Sequence, residues 1–295
     1  MRIIDLNGTW RVKEAALSCG GESGLSGVVG SPADWLPARV PGEIHLDLIR
    51  AGRMPEPLAG LNARDQCRWP EQKSWWYRHE FEIPAALLEE ERVELIFEGL
   101  DLYAQVFLNG RLVGESANAF VPVAFDVAGN LTEGRNDLVV RLTCGSEVAE
   151  GRVAAPSFNT KESRTVFKHR RAMQEKRALL RKPQFEYGWD WVDTLPNIGI
   201  WRGVRIEAKS LVVLHDLRLD TVLHPKRVFV RLDAALENLH KYSERACTFT
   251  VSMKPPKGKA IVRQYAVTAQ VGRSPVRDWI EIPHPQLWWP NGMGD

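Results

Sequence analysis

Aromatic or apolar residues alternate with polar ones along Trp75, Tyr77, His79, Phe81 and Ile83, with Trp76, Arg78, Glu80 and Glu82 between them. This period of two predicts a strand with one ring-rich face and one mainly polar face. The same period returns at Val93, Leu95 and Phe97, over Tyr103 to Leu108, at Val121, Val123, Phe125 and Val127, and at Leu138, Val140 and Leu142. Asn109-Gly110, directly after the third of these strands, predicts a tight hairpin, because both residues tolerate the left-handed backbone it needs. Leu6 to Val12 reads as a turn leading into a short strand, and Asn197 to Glu207 as a turn into a strand that closes the set. A helical period appears once in this half: Ile44/Leu48 and His45/Ile49 stand four apart, Gly52 supplies a C-terminal cap and Pro55 prevents extension. The Gly- and Ser-rich run from Cys19 to Gly30 predicts a mobile surface loop.

After Lys209 the pattern starts afresh. Strands are expected at Leu217 to Thr221, Val228 to Leu236, Cys247 to Met253, Ala260 to Val267 and Trp279 to Ile282, with Pro255-Pro256-Lys257-Gly258 as a turn. Many short strands with little helix between them predict an all-β chain. The expected domains are an antiparallel sandwich or jelly roll over residues 1–209 and a smaller immunoglobulin-like β-sandwich over 210–295, divided near Ser210. The last residues, Pro290-Asn291-Gly292-Met293-Gly294-Asp295, form a turn signal with nothing after it, so the second sandwich is expected to be truncated and the chain to be a piece of a longer protein.

Composition changes this picture little. The net charge of +2 over 295 residues favours neither nucleic acid nor a membrane surface. Residues 150–182 form a basic insertion in which Val166, Met173 and Leu180 share heptad spacing. A helix with a narrow apolar stripe and a solvated basic edge is expected there, and no aromatic or Gly-rich nucleic-acid motif accompanies the charges. The four cysteines, Cys19, Cys67, Cys144 and Cys247, have neither metal-like nor disulfide-framework spacing. No apolar run has the length of a signal peptide or a membrane span, so a cytoplasmic location is expected. No metal or cofactor is expected, and His45 has no partner spaced for either metal binding or a triad.

Eleven Trp residues are the compositional outlier. Trp fills sandwich cores, and it also makes platforms for sugars. The stretch Arg181 to Trp191 concentrates the second possibility, since Asp190 stands between Trp189 and Trp191. Indole faces pack on sugar C–H bonds while a carboxylate accepts hydrogen bonds from hydroxyls. Asp190, Trp189 and Trp191 are therefore the candidate substrate-binding residues. The competing reading of Asp190 is a buried carboxylate that pairs with Arg181 or caps a turn.

The order Leu6-Asn7-Gly8-Thr9-Trp10, Val40-Pro41-Gly42-Glu43-Ile44-His45, Phe97-Glu98-Gly99-Leu100-Asp101 with Leu108-Asn109-Gly110, Gly188-Trp189-Asp190-Trp191, Gly199-Ile200-Trp201-Arg202 and His284 to Gly292 resembles the N-terminal part of β-mannosidases of glycoside hydrolase family 2. Arg-Lys followed by Gly-Trp-Asp-Trp is characteristic of the mannosidase branch, while the weaker pieces are shared with β-galactosidase- and β-glucuronidase-type relatives. The resemblance implies a galactose-binding-like jelly roll, an immunoglobulin-like sandwich and then a (β/α)₈ barrel of roughly 250 residues, for which no sequence remains here. In a retaining glycosidase one carboxylate attacks the anomeric carbon and a second, ~5–5.5 Å away, serves as acid and then base. The resemblance places both on the barrel, so no catalytic residue is expected in this chain. It implies that Asp190 binds hydroxyls of a terminal β-mannosyl residue, with Trp189 and Trp191 as walls or supports. The substrate would be a β-mannoside or manno-oligosaccharide, and the partner the barrel of the same polypeptide. Family members continue the motif with Gly-Pro, whereas this chain has Val192-Asp193. A free-standing carbohydrate-binding module and a relative of β-galactosidase or β-glucuronidase type are the other readings.

Overall fold

The computed structural model describes residues 2–30, 34–150, 177–188, 193–224, 227–255, 258–283 and 285–293. They pack as two units: Met1–Glu89 with Val93–Ala208, and Glu90–Arg92 with Lys209–Asp295.

The first unit is a sandwich of two antiparallel sheets. Its strands are β1 (Arg2–Asp5), β2 (Gly8–Ala16), β3 (Leu36–Val40), β4 (Lys73–Ile83), β5 (Arg92–Phe97), β6 (Tyr103–Leu108), β7 (Arg111–Ser116), β8 (Val123–Asp126), β9 (Gly134–Thr143) and β10 (Val204–Lys209). One sheet runs β3-β2-β4-β9-β6-β7 and the other β1-β10-β5-β8. The side chains between them interdigitate in one core: Trp10, Val12, Trp75, Tyr77, Val106, Val140 and Leu142 come from the larger sheet, and Val93, Leu95, Phe97 and Ile206 from the smaller. Buried indoles keep a hydrogen bond, as burial of their N–H requires: Trp10 donates to the Leu6 carbonyl at 2.8 Å and Trp75 to the Pro70 carbonyl at 3.1 Å. The β6–β7 hairpin turns on Asn109 and Gly110, whose φ values of 50° and 83° are the left-handed pair that a two-residue turn demands.

The expected loop from Cys19 to Gly30 is instead a helix, α1 (Gly21–Val29). The reason lies on the outer face of the larger sheet, where Trp76, Phe107 and Val139 form an apolar patch. Leu25 and Val28 cover it. Burial of that patch outweighs the poor helix propensity of Gly and Ser, because most helical stability in proteins comes from packing one face. The entry to α1 is tied to the sheet from afar: Arg141 donates to the Leu17 and Cys19 carbonyls, each at 2.6 Å, and the Gln105 side chain accepts from the Gly21 amide at 3.0 Å.

The expected helix near His45 is α2 (Ile44–Arg50). Glu43 caps it, accepting from the His45 and Leu46 amides at 2.9 Å each, and Gly52 leaves it at φ 66°. His45 is buried with Nδ1 2.7 Å from Glu43 Oε2, a structural placement. Asp47, also buried, accepts from the Arg39 amide at 3.1 Å and from Arg50 at 2.8 Å.

The second unit holds β11 (Val212–His224), β12 (Arg227–Asn238), β13 (Arg245–Met253), β14 (Ile261–Ala269) and β15 (Gly272–Ile282). Its sheets are β11-β12-β15 and β13-β14. Alternation along β12 points Leu232, Ala234 and Leu236 inward against Val276 and Ala269, with Phe249 and Tyr265 packed at the margin. The chain is all-β in class, a jelly-roll sandwich followed by an immunoglobulin-like one, as the alternation implied. Of the helix expected in the basic insertion, residues 151–176 lie outside the described residues. Arg177–Leu179 forms a single 3₁₀ turn, and Leu180 is buried against Leu102, Ala119, Ala149 and Tyr187.

Candidate functional site

Trp189, Asp190 and Trp191, together with Val192, lie outside the described residues. The structure does define the two limbs of chain between which they run. The incoming limb begins where Arg181 forms a parallel bridge with Asn118 and its carbonyl accepts from the Ala119 amide at 2.9 Å. Pro183 then opens a 3₁₀ turn, Gln184–Tyr187, which ends at Gly188 with φ 89°, a conformation that favours glycine. The outgoing limb returns through Asp193 to Asn197.

The limbs are clasped to each other at several points. The Leu195 amide donates to the Glu186 carbonyl at 2.8 Å, and the Thr194 hydroxyl donates to the Tyr187 carbonyl at 3.0 Å. The Asn197 amide donates to Glu186 Oε2 at 2.9 Å, and the Asn197 carbonyl accepts from Lys182 Nζ at 2.6 Å. Both backbone groups of Asn197 are thus held by side chains of the incoming limb.

Lys182 is the centre of this clasp. It is fully buried, with Nζ 2.9 Å from Asp101 Oδ1 and 3.0 Å from Glu186 Oε2. With the Asn197 carbonyl, which accepts its hydrogen bond, three oxygens lie within 3.0 Å of the ammonium nitrogen. Burial opposes its charge, but the two carboxylates outweigh burial and hold its pKa above the usual lysine value. Burial raises Asp101 above the ordinary carboxylate range although Lys182 opposes it. Burial likewise raises Glu186, to about 6, against Lys182 and with the help of neighbouring Asp101. Two carboxylates share one cation, so the cluster tends to retain a proton that exposed acids would lose.

The clasp is fastened to the sandwich. Asp101 and Gly199 exchange two backbone hydrogen bonds at 2.9 Å each, and the Ile44 amide at the start of α2 donates to the Ile198 carbonyl at 2.9 Å. A Cβ on Gly199 would lie 2.4 Å from the Gly42 carbonyl oxygen, so the close approach of the two backbones requires glycine there. Trp201 donates from its indole to the Ala119 carbonyl at 3.1 Å, and Arg202 stacks over its ring at 4.2 Å. It braces the turn after β7 that pairs with Arg181.

Sequence reasoning named Trp189, Asp190 and Trp191 and passed over the clasp. Lys182 reads as one more cation at the end of a basic run, and Asp101 stands far away in sequence. The available signal was local: Lys182 and Glu186 are four apart, a spacing that brings opposite charges together on one turn. Among the described residues, no group of three or more His, Cys, Asp or Glu could hold a metal ion, and no helix is long and apolar enough to cross a membrane. All four cysteines are free thiols.

A jelly-roll sandwich followed by an immunoglobulin-like sandwich defines a class of all-β, two-domain chains, a fold that by itself assigns no activity. The family model described as glycosyl hydrolase 2 galactose-binding domain-like matches residues 10–202, and the chain belongs to this family. Its relatives include β-mannosidase B of Neosartorya fischeri, 33% identical over 271 residues, and β-mannosidase B of Aspergillus niger, 34% identical over 266. Each alignment covers 88% of this chain and 30% of the relative, so the chain spans under a third of the length of these enzymes. Among solved structures, a β-D-mannosidase from Dictyoglomus thermophilum superposes over 100% of this chain and 33% of its own, with a TM-score of 0.79 and 27% identity. An exo-chitosanase from Amycolatopsis orientalis shares the fold at a TM-score of 0.64 and 19% identity.

Proposed function

We propose that this chain forms the noncatalytic N-terminal part of a β-mannosidase-like retaining exo-glycoside hydrolase, contributing one wall of the pocket for a terminal β-mannosyl residue. Asp190 accepts hydrogen bonds from hydroxyls of that sugar, and Trp189 and Trp191 wall or support it. The catalytic carboxylates belong to a barrel elsewhere in a longer polypeptide, so the present chain alone is inactive. The observation that carries this reading is the clasp: a fully buried Lys–Asp–Glu cluster holds both limbs of the segment that contains Asp190. A sandwich core needs no such device, because burying three charges costs more than apolar packing. The relatives named β-mannosidase, with alignments that reach across this segment, support the substrate class.

Holding a terminal sugar by hydroxyls remote from the scissile bond enforces exo cleavage and lets distant binding contribute to the chemical step. The purified chain is expected to leave an aryl β-mannoside unhydrolysed, and turnover by it would refute the assignment. In the longer polypeptide, Asp190→Ala is expected to lower kcat/KM for that substrate by about 10- to 100-fold, the worth of a hydrogen bond to a charged group. An unchanged melting temperature should accompany the loss. Equal losses of stability and activity would favour a structural role for Asp190. Calorimetry of the isolated chain with mannose and manno-oligosaccharides is expected to give no heat of binding, whereas millimolar or tighter binding would favour a self-sufficient sugar-binding module.

A further inference from the structure

We propose that Phe120, Val121, Phe185 and Trp201 form a docking face for a further domain of the same polypeptide, one whose matching surface is apolar at its centre and acidic at its rim. The proposal rests on the reading of this chain as one part of a longer glycoside hydrolase, and it adds which described residues meet the rest.

Three segments build the face. The turn after β7, residues 117–122, brings Phe120 and Val121. The parallel bridge between Asn118 and Arg181, with the bond from the Ala119 amide to the Arg181 carbonyl, sets that turn beside the segment that carries Phe185 four residues on. The indole of Trp201 reaches the same turn through its bond to the Ala119 carbonyl. Phe185 is 67% exposed, Phe120 56%, Val121 52% and Trp201 37%. Large apolar side chains seldom stand so open together on a folded domain, and a group of them rimmed by polar residues marks a surface made for contact.

The face is preorganised. The Trp201 ring lies so close to Gly99 that a Cβ there would come 2.5 Å from Nε1, and Arg202 stacks on the ring. The Phe120 amide donates to Asn118 Oδ1 at 3.0 Å, which holds the turn. Rings already fixed in place lose little conformational freedom when a partner covers them, and Trp and Arg are prominent among the residues that dominate binding at interface centres.

Charge and length select the occupant. Neither Arg181 nor Arg202 forms an ion pair with a described residue. A two-fold contact between copies of this chain would set these arginines against their own counterparts, so a carboxylate-bearing partner fits better. The alignments cover 30% of each β-mannosidase B relative, which leaves 70% of its length outside them. A domain tethered to this chain is held at a high effective concentration, so even a modest apolar face can keep it docked.

The first test compares the isolated chain with the longer polypeptide by hydroxyl-radical labelling read by mass spectrometry. Labelling of Phe120, Phe185 and Trp201 is expected to fall at least about fivefold in the longer polypeptide, as for side chains at a desolvated interface centre. Leu112 on β7, 42% exposed, is expected to keep its rate. Equal labelling of the three residues in both proteins, or an equal fall at Leu112, would overturn the proposal. Protection already present in the isolated chain would overturn it as well: protection that grows with concentration would assign the face to a second copy, and protection that does not would assign it to this chain's own segments. Turnover of an aryl β-mannoside is measured on the same longer polypeptide. Turnover with the three residues still labelled would sink the docking face alone, whereas protection without turnover would support the face and count against the substrate reading.

The second test is Phe120→Asp/Phe185→Asp. Both sites are exposed, so the isolated chain is expected to melt within about 2 °C of the wild type. In the longer polypeptide the same pair is expected to restore Trp201 labelling to the level of the isolated chain, because it leaves carboxylates facing a desolvated surface with an acidic rim. Trp201 still protected there would overturn the proposal. If the double variant does not fold, Phe120→Ser/Phe185→Ser is measured in its place with the same expectation.

Discussion

Glu186 carries a charge state that can be tested directly. Its carboxyl is raised from 4.5 to about 6 by burial, with Lys182 opposing and Asp101 assisting the rise. A carboxyl whose pKa is higher in the folded state binds its proton more tightly there, so its contribution to stability is complete below about pH 4.5 and is lost as pH rises through about 6. The difference amounts to about 2 kcal/mol. Glu186→Gln keeps an acceptor for the Asn197 amide and cannot ionise. Urea unfolding followed at pH 4 and pH 7 is expected to show the variant gaining about 2 kcal/mol on the wild type between the two. A constant difference would mean that the acid is not raised. The remaining slope in the variant includes that of Asp47, which burial also raises to about 6 against the Arg39 amide and Arg50. Gly199 gives a second test at this scale. Gly199→Ala would place its Cβ 2.4 Å from the Gly42 carbonyl oxygen and 2.7 Å from the Glu43 backbone. Rigid backbone on both sides makes a loss of about 1–3 kcal/mol the expected cost in denaturant unfolding, and a silent substitution would show that the two segments part easily.

Among the elements, the strands follow local pattern and α1 does not. Alternation along Trp75 to Ile83 survives folding because one face meets the core and the other is half-covered or wet. Trp76 breaks the simple picture. It lies on the outward face, yet it is fully buried, stacked at 5.9 Å on Phe107 and roofed by α1. The helix therefore exists for the sake of that patch. Leu25→Ala is expected to cost about 2–4 kcal/mol, as for a buried leucine elsewhere, and to raise acrylamide quenching of tryptophan fluorescence as the patch opens. Loss of stability without new quenching would indicate that the helix stays seated over Trp76. The clasp belongs to this scale as well, since it joins one short turn, one returning limb and one strand entry into a single unit.

At the scale of the whole molecule, each of the two sandwiches closes over its own apolar core. The sequence by itself determined the all-β class, the strands and hairpin, helix α2 and the family likeness, because each is written in short-range signals: a period of two, an Asn-Gly turn, an i,i+4 pair, a motif order. It also singled out Asp190, Trp189 and Trp191 as the segment to watch. Tertiary structure decided what local signals do not encode. A Gly- and Ser-rich run becomes a helix because a distant apolar patch needs covering, and Lys182 becomes the centre of a buried cluster because Asp101, far upstream, arrives beside it. Both outcomes follow from burial. A side chain's desolvation and partners depend on which segments pack against it, and only the folded chain sets that.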